Sequence, residues 1–157
     1  INSLDKLINK WIHNKLYFSI QKASKELEGK KNLIHWYRKD TCSIISPSDV
    51  GIHNMIRCNS GLNFIDFEYA GRDDMCKLIG DWIVQPQNPL NKELEEHLIQ
   101  SILAYNFSID EGWEYRLKDI KYLLQLKWVT IMLNPYLNKE ITFDCWKKIQ
   151  NYYNSFN

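Results

Sequence analysis

Two carboxylates and one carboxamide stand out by type and spacing near the middle of the chain. Asp49 and Asn54 lie in Ser-Pro-Ser-Asp-Val-Gly-Ile-His-Asn, residues 46–54, and Asp66 follows in Ile-Asp-Phe-Glu. A turn between two short strands has a use for the Pro and Gly of this stretch, but it does not require the Asp, the His and the Asn as well. An ionised carboxylate can accept the proton of an attacking hydroxyl. A carboxamide oxygen and a second carboxylate are hard oxygen donors of the kind Mg²⁺ takes. A base beside a cation-binding pair of oxygens is what transfer of a phosphoryl group to a hydroxyl requires. Asp49 or Asn54 alone is better read as a turn residue; together with Asp66 and the flanking pattern they read as a site.

Such groups need elements that bring them together. Ile44-Ile45, residues 55–58 and residues 62–67 are short apolar runs, and Asn59-Ser60-Gly61 between the last two is a hairpin signal. Antiparallel pairing lays the loop entering a hairpin beside the loop leaving it, so Asp49, Asn54 and Asp66 can converge. Helical periodicity surrounds this region. Residues 3–15 place Leu4, Leu7, Ile8, Trp11 and Ile12 on one face, with Ser3 as a cap, and a second helix is predicted over about 17–28, ending at Gly29. Residues 30–32 form a polar break, and 33–37 fit strand or helix. After Gly71 the pattern returns to helix, beginning at Asp73 and Asp74 as N-terminal caps, with Met75, Leu78, Ile79, Trp82 and Ile83 on one side and a stop at 85–89. Asn91 caps a helix with Glu93, Glu95 and Glu96 in its early turns, another start falls at 108–110, a long apolar face runs from Trp113 to Leu133 up to Asn134-Pro135, and a last helix covers about 142–154. The fold class is mainly α with a small β-hairpin, in a single domain over 1–157.

Composition narrows the function classes. Hydrophobic residues make up 45% and charged residues 25% of the chain, as in ordinary globular proteins. The net charge of +1 gives no general attraction to a nucleic-acid polymer or an anionic membrane, and no apolar run approaches the ~20 residues of a membrane span. Aromatics are 13%, which favours broad helix–helix or cleft surfaces. Cys42, Cys58, Cys76 and Cys145 are scattered without a Cys-x-x-Cys pair, which argues for reduced cytoplasmic thiols rather than a zinc site.

Asp49 followed by four residues and Asn54 matches the spacing of a kinase catalytic loop, and Asp66-Phe67-Glu68 stands where kinases place Asp-Phe-Gly. "SPSDVGIHNMI" followed by "LNFIDFEYAGRDD" resembles the aminoglycoside phosphotransferase and choline kinase-like group, whose pattern is His-Gly-Asp-x-x-x-x-Asn, then Ile-Asp-(Phe/Trp)-Glu and a Gly. The close match covers about 46–84. It is most similar to bacterial members with a Ser-Asp-Phe-Gly-Phe-His-Asn type loop and a later Lys-Trp near Leu-Asn, here Lys127-Trp128 and Leu133-Asn134. The resemblance implies the C-terminal helical lobe of a protein-kinase-like fold. It implies Asp49 as the catalytic base, Asn54 and Asp66 as Mg²⁺ ligands and hence cofactor-binding, and Glu68, Trp113 and Glu114, with Arg116, as weaker candidates on the substrate side. The cofactors implied are Mg²⁺ and ATP (or GTP), and the acceptor is a hydroxyl of a sugar, an amino-alcohol or an aminoglycoside.

The sequence departs from that pattern in places. Pro47-Ser48 stands where the group has His-Gly, and Lys77 precedes Leu78 where the group often has Asp. Gly29 is the only glycine before the motif, so no glycine-rich phosphate loop and no nucleotide-binding β-lobe is read in this chain. The expectation is therefore the C-terminal lobe of a phosphotransferase, inactive as an isolated fragment. The alternative is a non-catalytic, pseudokinase-like helical binding module. A face left without its β-lobe would be partly apolar and would favour self-association. His53 is assigned a local hydrogen-bonding role.

Overall fold

The computed structural model describes residues 3–30, 43–105 and 112–157. The readings for 33–37, for the helix start at 108–110, for Lys31-Asn32 and for Cys42 lie outside the described residues. The protein is mainly helical, and the described residues include four short strands in two antiparallel pairs. Its contacts divide it into two compact units, residues 1–32 with 122–157, and residues 33–121.

In the first unit the predicted break after residue 15 does not occur. The helix Ser3–Trp11 runs through a wide π-type turn, Ile12–Leu16, into the helix Tyr17–Gly29. The extra residue in that turn rotates the inward face. Ile8, Leu16, Ser19 and Ala23 are buried, whereas Leu7, predicted on the apolar face, is exposed. These residues meet Leu126, Val129 and Leu133 from the helix Trp113–Met132, and Trp146, Ile149 and Tyr153 from the helix Phe143–Asn154. Trp11 stands edge-on to Trp146 and Tyr153, with ring centroids 5.0 and 4.8 Å apart. Thr142 caps the last helix by accepting from the Cys145 amide at 3.2 Å. The long helix ends at Met132, just before Asn134-Pro135, as predicted, and the pair also opens a further helix. The proline sits in the first turn of that short helix, Asn134–Leu137, where the missing N–H costs no hydrogen bond.

The second unit holds both strand pairs. Strands β1, Ser43–Ser46, β2, Met55–Cys58, β3, Gly61–Phe64, and β4, Gly71–Asp74, pair as β1 with β4 and β2 with β3. The β2–β3 hairpin is as predicted. Cys58 faces Gly61 across Asn59-Ser60, and Gly61 adopts φ 128°, which a side chain would resist. The β1–β4 pair corrects the reading of the stretch after Gly71. Asp73 lies in a strand, opposite Ile44, and does not cap a helix. Asp74 does cap the helix Met75–Ile83, its carboxylate accepting from the Cys76 amide at 2.6 Å. That helix buries Met75, Cys76, Ile79 and Ile83 and packs on β1, on β4 and on the helix Lys92–Ala104. Asn91 caps Lys92–Ala104 as predicted, accepting from the Leu94 amide at 2.9 Å. Glu95 of that helix is not merely solvated; it pairs with Lys121. No helix among the described residues is long and apolar enough to cross a membrane. Cys58, Cys76 and Cys145 are free thiols.

Candidate active site

Asp49, Asn54 and Asp66 lie on connections of the second unit, and backbone hydrogen bonds link those connections. From the end of β1 the chain makes a tight turn, in which the Asp49 amide donates to the Pro47 carbonyl at 2.9 Å. A short 3₁₀ turn, Ile52–Asn54, then leads into β2, closed by the Asn54 amide donating to the Gly51 carbonyl at 3.0 Å. Asn54 is buried, and its Nδ2 donates to the Asp49 carbonyl at 2.9 Å. With the nitrogen so engaged, Oδ1 is the atom left to a cation. The Asn54 carbonyl accepts from the Ile65 amide at 3.0 Å. One residue therefore ties the Asp49 turn on one side to the segment leaving the hairpin on the other, one position before Asp66.

Asp66 has φ 64°, in the left-handed region that Asp tolerates better than most residues. Beyond it, the Ala70 amide donates to the Phe67 carbonyl at 3.0 Å and closes a turn that presents Glu68 and Tyr69 to solvent. The Tyr69 hydroxyl is held above its ordinary value. The hydrogen bond with Glu68 is the leading cause, followed by the Glu68 charge, and the charges of Asp66 and Asp49 act in the same direction.

The loop before Asp49 has its own supports. Ser48 has φ 68°, a conformation that glycine takes freely and that serine holds at a cost. Its amide donates to the Ser46 hydroxyl at 3.0 Å, and its own hydroxyl accepts from Lys77 Nζ at 3.3 Å. Lys77 also donates to Asp73 at 2.6 Å and to Asp81 at 3.0 Å. Burial works to lower the Lys77 value, but the hydrogen bonds and charges of Asp73 and Asp81 outweigh it and hold it above 10.5. On the other side, His53 Nε2 is 3.6 Å from Asp49 Oδ1, and His53 Nδ1 is 3.3 Å from Gln85 Nε2.

No protein-family model matches the chain, and no curated protein matches it in sequence.

Trp113 and Glu114 begin the helix Trp113–Met132. The Trp113 carbonyl accepts from the Cys76 thiol at 3.5 Å, and Glu114 is exposed. Among the described residues no hydrogen bond or ion pair joins either of them to Asp49, Asn54 or Asp66. Arg116 is buried and pairs with Asp74, its Nε 3.0 Å from the carboxylate, so it serves the base of the Met75–Ile83 helix. Lys77, Asp81 and Gln85 were not singled out from sequence as parts of a site. The spacing of Asp73, Lys77 and Asp81 at four-residue intervals was the available signal, because such residues neighbour one another along a helix face. The first unit carries an open hollow of about 420 Å³ lined by Lys15, Lys22, Tyr122 and Tyr153 among others, with no acidic residue in its lining.

Proposed function

We propose that the protein is the helical lobe of an ATP- (or GTP-) and Mg²⁺-dependent phosphotransferase acting on a hydroxyl of a small molecule such as a sugar, an amino-alcohol or an aminoglycoside. The observation that carries this reading is the double role of Asn54. Its side chain bonds back to Asp49, and its carbonyl takes the amide beside Asp66. A proton acceptor and two oxygen donors are thereby held on adjoining connections, as this chemistry needs. The kinase-like identity of the lobe rests on that arrangement and on the motif resemblance.

Asp49 accepts the proton of the attacking hydroxyl through its carboxylate. Asn54 Oδ1 and the Asp66 carboxylate would hold Mg²⁺. Among the described residues no group of three or more His, Cys, Asp or Glu side chains forms a metal site. A carboxamide oxygen and a carboxylate are donors that Mg²⁺ accepts in phosphate chemistry, where one or two protein ligands are usual and waters and substrate phosphates would supply the rest. Bound there, the cation supplies charge neutralisation for the phosphates. The hairpin and the segment leaving it expose Leu62, Phe64, Ile65 and Phe67, apolar side chains that a nucleotide lobe would cover. The same surface would support self-association of the isolated chain.

In a form of the protein that carries a nucleotide lobe, Asp49→Asn abolishes phosphoryl transfer to a hydroxyl acceptor and leaves Mg²⁺–ATP binding in place. Retained turnover refutes the role of Asp49. The alternative, a non-catalytic binding module, draws on Pro47-Ser48 in place of His-Gly. Calorimetry showing no Mg²⁺-dependent nucleotide binding favours it.

A further inference from the structure

We propose that Lys77 and Gln85 are positioning residues that grip the Asp49 turn from both sides and fix the orientation of its carboxylate. The inference rests on the reading of Asp49 as proton acceptor. The two residues belong to one structural feature. Lys77 lies in the first half of the Met75–Ile83 helix, and Gln85 follows its last turn. Lys77 reaches Ser48, the residue before Asp49, and Gln85 reaches His53, whose other ring nitrogen stands 3.6 Å from the Asp49 carboxylate. The helix and the residue that follows its last turn therefore touch the chain on either side of Asp49, at Ser48 and at His53.

Both grips are anchored. Lys77 is fixed by Asp73 and by Asp81, which is buried. Gln85 is also buried, and its Oε1 accepts from the Gln87 amide at 3.5 Å. With Gln85 Nε2 donating to His53 Nδ1, the neutral imidazole carries its proton on Nε2, the nitrogen facing Asp49. At 3.6 Å this is a close approach and not a hydrogen bond, with the ring flanking one side of the carboxylate. Gly51 leaves room for the arrangement. A Cβ there would come within 2.7 Å of His53 Cε1 and Nδ1 and 3.0 Å of Gln85 Nε2. The absence of a side chain at Gly51 is thus a condition for the ring to sit between Gln85 and Asp49, independent of any backbone requirement.

The test uses nuclear magnetic resonance on the 157-residue chain, with Ser48→Ala, Gln85→Leu and Gly51→Ala as variants. Ser48→Ala removes one hydroxyl at a half-buried site and so takes away the atom that Lys77 reaches. In the parent, the neutral His53 ring is expected as the Nε2–H tautomer in long-range ¹H–¹⁵N spectra, and the Asp49 side chain is expected in one χ1 rotamer by three-bond couplings. Gln85→Leu and Gly51→Ala are expected to reduce the Nε2–H population, and each of the three variants is expected to spread Asp49 over more than one rotamer. A general loosening of the fold would not select the tautomer of one ring. The proposal is overturned if Asp49 is already rotamerically averaged in the parent, or if it keeps a single rotamer in all three variants. These readouts need no turnover, so they stand apart from the phosphotransferase reading. A fixed Asp49 in a protein without Mg²⁺-dependent nucleotide binding would sink that reading and leave the positioning intact.

Discussion

Replacing Lys77 by Met tests the electrostatic centre of the second unit. The substitution keeps most of the aliphatic volume and removes the ammonium that Asp73, Asp81 and Ser48 share. The size of the effect follows from where the two ends of the pair lie. The Lys77 side chain is 30% exposed, but the Asp81 side chain is only 3% exposed. Exposed ion pairs contribute about 0–1 kcal/mol, while removing one partner of a fully buried pair costs about 3–5 kcal/mol. With one end wet and the other dry, Lys77→Met is expected to cost about 2 kcal/mol, most of it because Asp81 loses this cation. In a chain of this size that corresponds to a fall in Tm of roughly 4–8 °C, at about 2–4 °C per kcal/mol.

Urea unfolding of the parent, Lys77→Met, Asp81→Asn and the double variant forms a complete cycle. Removing the Asp81 charge relieves the loss, so the double variant is expected to be more stable than the sum of the single changes by about 1 kcal/mol. The reasoning fails if Lys77→Met unfolds within about 0.5 kcal/mol of the parent, the scale of an ordinary surface change. It fails equally if the cycle closes without coupling, because the buried end of the pair would then contribute nothing.

The same lysine sets a pH dependence. Its folded value lies above 10.5, so the stability it contributes is fully present below 10.5 and is lost as the pH rises through the folded value. The stability difference between the parent and Lys77→Met should therefore shrink in strongly alkaline solution, and a constant difference would contradict the assignment. In the first unit, Ser19 Oγ and Tyr153 Oη are 2.7 Å apart and buried. Tyr153→Phe is expected to cost about 1–3 kcal/mol, and adding Ser19→Ala should recover part of it, since removing both polar groups costs less than stranding one. Strict additivity in thermal unfolding would refute that.

What the sequence revealed, it revealed through local rules. The β2–β3 hairpin was legible because Asn59-Ser60-Gly61 and the flanking apolar runs specify a turn without help from the rest of the chain. The caps at Asn91 and Asp74 were legible because a short polar side chain before an apolar periodic run favours capping, although the same rule also picked Asp73, which pairs in β4. Strand β4 was not legible. Gly-Arg-Asp-Asp has low β-propensity, and its pairing is imposed by Ser43–Ser46, a partner far away in sequence. The continuation of the first helix through Ile12–Leu16 was hidden for a different reason. A wide turn changes the phase of the apolar face, and a change of phase reads in sequence as an end. At the candidate site the three polar residues were legible by spacing. The way they are held was not, because Lys77 to Ser48 and Gln85 to His53 are contacts between segments that no local pattern joins.

Pro47-Ser48 is where the sequence departs most from the pattern it resembles, and the structure gives that departure a physical content. A left-handed residue is needed immediately before Asp49, because Ser48 adopts φ 68° even though serine resists it. Glycine would meet that need without a side chain, whereas serine at such a position costs about 1–2 kcal/mol. The cost is offset locally by the Ser48 amide on the Ser46 hydroxyl and by Lys77 on the Ser48 hydroxyl. Lys77 can make that contact because it already stands between Asp73 and Asp81, in the position where the pattern often has an acid. An acid at 77 would bring a third carboxylate to Asp73 and Asp81 and would take the cation away from Ser48. Ser48 and Lys77 are thus complementary halves of one contact. Together they keep the turn before Asp49 in the geometry that a glycine would otherwise supply.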